Sequence, residues 1–200
     1  MRAVAAEMGQ RAWLVASNLR QHRAVRAVPW ERSHGGALAA LGHVLGGKTG
    51  RLVISSSHPL VDDYPWGSRW DVDPQFSSAA LRIEHFGAEF GRLEKLRSVA
   101  HEDIVRRHLR VCWENRTSAS NCGRCEKCVR TMLILETCDQ LGCYESFRGG
   151  QGLLESLDRV PCVNYPTSRV YESLLAHGLS EPFLTAVRRL LARSRLANRR

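Results

Sequence analysis

Nothing in this 200-residue chain is apolar for long enough to cross a bilayer as a helix: no hydrophobic run approaches the ~20 residues required. The opening Met1–Glu7 holds no apolar core of useful length, so no secretory leader is expected. The expectation is therefore no membrane partner and a reducing, cytoplasmic compartment, where thiols stay free or bind metal. There is no GxGxxG fingerprint and no GxSxG elbow, which removes the usual dinucleotide-binding and α/β-hydrolase readings. The eight histidines never fall at HxxxH or HExxH spacing, so no histidine-built metal site is read. Ser55, Ser56 and Ser57 have no neighbouring base in sequence, and no hydrolase triad is read from them. No internal repeat occurs, and the one biased stretch is the Arg-rich end.

What is present is ordinary globular composition, 44% hydrophobic and 24% charged, with a formal net charge of +9. A basic chain favours polyanions. The excess is concentrated in Arg188–Arg200, which has no acidic residue. That tail is a candidate contact for nucleic acid; the alternative is a solvated terminal helix.

Seven cysteines are an odd number for a disulfide framework, and four of them are clustered. Cys122, Cys125 and Cys128 form a C-x2-C-x2-C run, and Cys112 lies one short loop upstream. Thiolates bind Zn2+ at about 2.3 Å in a closed tetrahedron, and an x2 spacer lets two sulfurs turn onto one ion. Gly123 sits inside the first spacer, where a tight turn can demand positive φ. The run passes into Val129–Leu135, which reads as a helix, so the last thiolate falls near a helix N-terminus that favours an anion. A structural Zn2+ site is expected. An iron–sulfur cluster uses the same ligands, and reduced core cysteines are the remaining alternative.

The rest of the chain reads as helices alternating with short apolar strands. Residues 2–8 form a helix ended by Gly9, and Ala12–Ala16 is a short buried strand. Ser33 caps a helix over Ala37–Leu45, and Arg51–Ser55 is a second strand. Ala80–His85 is a third strand, Glu89–Ala100 an amphipathic helix, Glu102–His108 a helical turn, and Leu109–Cys112 a brief strand delivering the first ligand. This order predicts an α/β fold with a partial parallel sheet and flanking helices over residues 1–145, carrying the zinc–cysteine cluster. A helical C-terminal extension with a basic tail occupies residues 146–200. Ligands in such sheets bind beyond the carboxyl ends of the strands, here at Ser17-Asn18 and at Ser55–His58. The second place opens a long loop to Phe76, with three prolines, three large aromatics before Phe76 and four aspartates. Loops this long are usually functional. His34, beside two glycines, and His58, at a strand end, are candidate phosphate or substrate contacts.

The order of parts, ending in Cys112-x9-Cys122-Gly-x-Cys125-x2-Cys128, resembles the C-terminal half of N-type ATP pyrophosphatases of the 7-cyano-7-deazaguanine synthase type, over roughly residues 1–135. The resemblance implies a truncated adenine nucleotide α-hydrolase-like fold and a structural Zn2+ on the four cysteines. It implies a nucleotide and a small-molecule substrate. Asn18, His34, Arg92 and Lys95 would meet the nucleotide and its phosphates; Ser55, Ser57, His58, Asp62, Asp63 and Trp66 would line the substrate pocket. Those enzymes adenylate a carboxyl or carbonyl oxygen with ATP, and a nitrogen nucleophile then displaces AMP. They grip pyrophosphate with an SGGxDS loop, which this sequence does not contain. The expectation is an ATP-dependent ligase portion, inactive alone, that takes ATP and Mg2+ only when the missing half is supplied. The competing expectation is a non-catalytic, zinc-stabilised nucleic-acid-binding module, with Arg116, Arg124, Lys127 and Arg130 around the cysteines.

Overall fold

In the computed structural model, the described residues are 2–46, 50–62, 64–114, 121–147 and 152–198. They group into two compact units that cut the chain differently from a division at residue 145. One comprises residues 13–92, the other residues 1–12 with 93–200.

The unit of residues 13–92 is built on a helix packed against two parallel strands. A one-turn helix, α2 (Arg23–Arg26), precedes α3 (Trp30–Leu45). Pro29 occupies the N-cap position of α3 and Glu31 lies in its first turn, at the positive end of the dipole. The helix thus starts earlier than Ser33, whose hydroxyl donates 3.2 Å back to the Pro29 carbonyl inside the first turn. Strands β1 (Arg51–Ser55) and β2 (Arg82–Phe86) pair in parallel, with Leu52 opposite Ile83 and Ile54 opposite His85. Strand side chains alternate between faces. Ile54 and Ile83 are buried in a small core with Ala39 and Leu81, and Leu52 packs beside them. Arg51 of β1 pairs across the strands with Glu84 of β2 at 3.0 Å, and Arg82 pairs with Glu84 along β2 at 2.9 Å. The sheet is thus apolar on its core side and carries a charge ladder between neighbouring strands.

The apolar run Ala12–Ala16 is not a strand. It forms no regular element, and Trp13 and Leu14 are exposed. A strand exists only against a neighbouring edge, and apolar content alone does not supply one. Two strands make up the described sheet.

The second unit is helical. It contains α1 (Arg2–Glu7), α4 (Arg92–Val99, entering from the other unit at its first residue) and α5 (Asp103–His108). After the cysteines come α6 (Glu126–Glu136), α7 (Leu153–Asp158), α8 (Tyr165–Leu174) and α9 (Glu181–Ala197). Glu7 of α1 pairs with Arg107 and, at 2.9 Å, with His108 of α5. The hub is α6, where every residue from Cys128 to Leu135 is buried. A helix buried over two turns belongs at the centre of its neighbours, and its one buried charge, Arg130, is paired with Glu126. Leu157 of α7, Leu174 of α8, and Val187 and Leu190 of α9 belong to the same core cluster. Ser194 fastens α9: its hydroxyl accepts from the Val163 N–H at 2.9 Å and donates to the Leu190 carbonyl at 2.8 Å. Asn164 caps α8 by accepting from the Thr167 N–H, with Pro166 in the first turn.

Three arginines of the basic end serve this packing. Arg189 pairs with Asp158, Arg193 donates to the Val160 and Pro161 carbonyls, and Arg195 reaches Glu172. Among the described residues, no helix is long and apolar enough to cross a membrane.

Candidate functional site

Cys112, Cys122, Cys125 and Cys128 come together at the start of α6, with their four Sγ atoms all within 4.8 Å of one another. A Zn–S bond of about 2.3 Å gives a tetrahedral edge of about 3.8 Å. The observed Cys122–Cys128 Sγ separation is 3.9 Å. This spacing suits one ion; a multi-iron cluster spreads its thiolates around several metal atoms. None of the seven cysteines forms a disulfide. The turn behaves as its glycine predicts, since Gly123 has φ +70°. It lets the Cys125 N–H donate to the Cys122 sulfur at 3.2 Å. Burial pushes the Cys125 and Cys128 thiols up, and the neighbouring sulfurs add to this for Cys128. Four sulfurs packed this way resist ionising together unless a cation joins them, and a bound cation reverses that preference. The donor set and its spacing therefore fit a metal ion held by the four cysteines.

One residue that organises this centre carries no metal-ligand signature. The run Leu109–Cys112 is not a strand; the side chain of Asn121 takes the place of a partner strand. Asn121 Oδ1 accepts from the Val111 and Cys112 N–H groups at 2.9 and 3.1 Å. Its Nδ2 donates to the Leu109 carbonyl at 3.0 Å and the Ser146 hydroxyl at 3.1 Å. The amide thus holds the strand-like approach to Cys112 beside the CxxC turn. Asn121→Ala leaves two backbone donors at Val111 and Cys112 without their acceptor. A loss of about 2–4 kcal/mol is expected, read as a lower urea midpoint and faster metal loss to a chelator. An unchanged midpoint would remove Asn121 from this role.

The candidate substrate residues separate into two groups. His58, Asp62 and Trp66 line a cavity of about 250 Å3, together with Tyr64, Arg69, Trp70 and His85. Ser55 and Ser57 are exposed and are not part of that lining. Asp63 lies outside the described residues. Rings dominate the walls: His58 stands edge-on to Trp66 at 5.0 Å between centroids, and Tyr64 lies 5.9 Å from each. Arg69 makes a two-point contact with Asp71, at 2.9 and 3.0 Å, and donates to the Tyr64 carbonyl at 3.2 Å. That contact holds the Asp71 carboxyl below its usual range. Beneath the cavity is a polar cluster the sequence did not reveal. Asp73 is fully buried, and its Oδ2 accepts from Ser68 Oγ at 2.6 Å and meets His85 Nδ1 at 2.7 Å. The available signal was the parallel pairing: two strands in register bring their carboxyl-end residues, including His85, to one edge.

The loop is seated on α3 by a glycine pair. The Gly35 N–H donates to the Gly67 carbonyl at 2.9 Å, and the Gly67 N–H to the Glu31 carbonyl at 2.6 Å.

The candidate phosphate residues fall on three different segments of the chain. Asn18 lines an open apolar groove of about 700 Å3 with Val15, Ala40, Leu41 and Val44. His34 is on α3, its Nδ1 3.1 Å from the Trp30 carbonyl and its ring edge-on to Trp66. Arg92 and Lys95 sit on α4, three residues apart. The stretch Gly42-His-Val-Leu-Gly-Gly-Lys-Thr49 fits the letters of a phosphate-binding P-loop. A P-loop joins a strand to a helix N-terminus, whereas Gly42–Leu45 of this stretch lie at the carboxyl end of α3; Gly47, Lys48 and Thr49 lie outside the described residues. Gly42 instead gives room to Leu52, whose Cδ2 would lie 2.6 Å from a Cβ there.

No protein-family model, no curated protein and no solved structure matches this chain.

Proposed function

We propose that the chain is the zinc-bearing, substrate-binding portion of an ATP-dependent carbon–nitrogen ligase similar to the 7-cyano-7-deazaguanine synthases. The observation that carries this reading is the cavity beside the carboxyl ends of two parallel strands, lined by His58, Asp62 and Trp66. Zn2+ on the four cysteines is structural, because four thiolates leave no open position for substrate. Arg92 and Lys95 neutralise phosphate charge, and the aromatic loop holds the molecule to be adenylated. Pyrophosphate release requires an SGGxDS loop, absent from this sequence. ATP–pyrophosphate exchange tests the proposal. The chain alone is expected to give none above background. Exchange is expected once the SGGxDS-bearing half of such a synthase is fused ahead of it. Failure of the fusion to exchange overturns the ligase reading, and exchange by the chain alone overturns its dependence on the loop.

A second reading, a nucleic-acid-binding module, draws on one observation. Trp113, next to a cysteine ligand, is exposed, and Lys127 Nζ stands 5.5 Å from the centroid of its ring. Exposed aromatics beside cations are how single strands are stacked and held. Arg124 is exposed, whereas Arg130 is buried against Glu126 at 3.3 Å, and Arg116 lies outside the described residues. A salt-sensitive gel shift abolished by Trp113→Ala would favour this reading; no shift at low salt would end it.

A further inference from the structure

The Asp73–His85 pair has a chemical consequence beyond holding the loop. The His85 side chain is 3% exposed and that of Asp73 is 0% exposed. Asp73 Oδ2 already accepts the Ser68 hydroxyl hydrogen, and an ionised carboxylate offers only acceptors. With Asp73 as a carboxylate, the hydrogen in the 2.7 Å contact sits on His85 Nδ1. A neutral imidazole then carries its lone pair on Nε2, because the two ring nitrogens take opposite roles. His85 lines the cavity, and Nε2 is the nitrogen left to it. On the same lining, Trp66 Nε1 is buried and has no hydrogen-bond partner. The lining thus brings the His85 imidazole, an indole whose N–H has no partner, and the Asp62 and His58 side chains together among aromatic walls. Its one guanidinium, Arg69, is already bound to Asp71, so the lining is not arranged for phosphate. About 250 Å3 is below the usual ~300–1,000 Å3 of drug-sized sites and suits a one- or two-ring molecule.

We propose that His85 is the proton acceptor of this cavity, and that the cavity takes a small, uncharged, planar molecule bearing an N–H or O–H group. That group meets His85 Nε2, and an acceptor atom on the same molecule receives the Trp66 indole N–H. The proton passes from the ligand to Nε2, while the electron pair stays on the ligand atom and makes it a better nucleophile. The imidazolium formed is held by the Asp73 carboxylate, as in other carboxylate–histidine pairs. Asp73 and Ser68 are positioning residues: they fix the tautomer and the ring. The proposal deepens the substrate reading of the cavity and rests on it only in that a ligand enters there; ATP is not required.

The test is nitrogen-15 NMR of the histidine side chains near neutral pH, with benzimidazole and 1-methylbenzimidazole as probes. His85 is expected as the Nδ1–H tautomer, and benzimidazole is expected to shift its Nε2 resonance and the Trp66 indole proton together. The N-methyl probe, which lacks the N–H, is expected to bind about tenfold more weakly. His85→Gln is expected to bind both probes alike, and Trp66→Phe to weaken both. Since the tautomer and the probe pair are measured on the unaltered chain, poor folding of a variant does not spoil the test. An Nε2–H tautomer, equal affinity for the two probes, or no shift up to the solubility limit of benzimidazole would each overturn the proposal. Failure of the ATP–pyrophosphate fusion would leave these results standing, so the two readings fail separately.

Discussion

Replacing Cys125 by serine is expected to release about one metal ion per chain and to unfold the helical unit, the largest effect of any single substitution here. Cys125 is the N-cap of α6, whose next turns form the buried hub of that unit. Serine is itself a favoured N-cap, so the exchange leaves the start of the helix intact and isolates the metal contribution. In zinc peptides the apparent binding free energy is about 10–16 kcal/mol, and it acts as folding energy. Losing one of four thiolates forfeits a large part of that, which is comparable with the roughly 5–15 kcal/mol that keeps a domain folded. The measurement is metal content by mass spectrometry alongside urea unfolding by circular dichroism. Cys143→Ser, at an exposed cysteine outside the cluster, is the control and should change neither. Acid should act in the same direction. The Cys125 and Cys128 thiols are pushed up by burial, so the metal must displace protons to bind, and its affinity falls as pH drops. A folded, metal-free Cys125→Ser chain would overturn the structural role of the ion.

Gly35→Ala is expected to disrupt the unit of residues 13–92, while Gly36→Ala, one residue on, should be harmless. A Cβ on Gly35 would lie 2.0 Å from the Gly67 carbonyl oxygen and 2.8 Å from Asp73 Oδ1. The first of these is backbone, which cannot rotate away. A Cβ on Gly67 would in turn meet the Arg32 carbonyl carbon at 2.5 Å. Relief requires lifting the loop from α3, with loss of the two backbone hydrogen bonds that join them. A cost of about 3 kcal/mol or more is expected, with the cavity's probe binding lost at the same time. At Gly36 the nearest atom to a Cβ is Phe76 Cζ at 3.5 Å, ordinary contact. There alanine gains up to about 1 kcal/mol of helix propensity. Equal melting temperatures for the two variants would show that the close approach at Gly35 is not a constraint.

The cysteine centre was legible in the sequence because its information is local: three ligands lie within one turn and a helix start. The helices α3 to α6 and strand β1 were legible for a similar reason, since each carries its own periodicity or apolar run. The runs Ala12–Ala16 and Leu109–Cys112 looked equally strand-like. What decides strandedness is a partner edge, and these found solvent in one case and the Asn121 amide in the other. The cavity was half legible. His58 was singled out at its strand end, and Asp62 and Trp66 through the family resemblance, whereas Asp73 and His85 lie twelve residues apart and meet only after the strands pair. Nothing periodic records such a contact. The Arg-rich end was read as a nucleic-acid contact or a solvated helix, and composition alone could not reveal that Arg189, Arg193 and Arg195 find partners on or just after α7 and α8.

The parallel pairing also sets an order of events in folding. Arg51 must find Arg82, and the connection between them is an aromatic loop with only a short 3-10 turn over Asp73–Phe76. A crossover helix would form early and shorten the search; this loop gains its contacts only as it closes. Closure entropy is lost before the strands return any of it, and pairings distant in sequence are slow for that reason. The helical unit makes most of its hydrogen bonds within single turns. Refolding should therefore show a fast phase in helical ellipticity and a slower one in the fluorescence of Trp66 and Trp70, with β1 and β2 open at their edges in the interval.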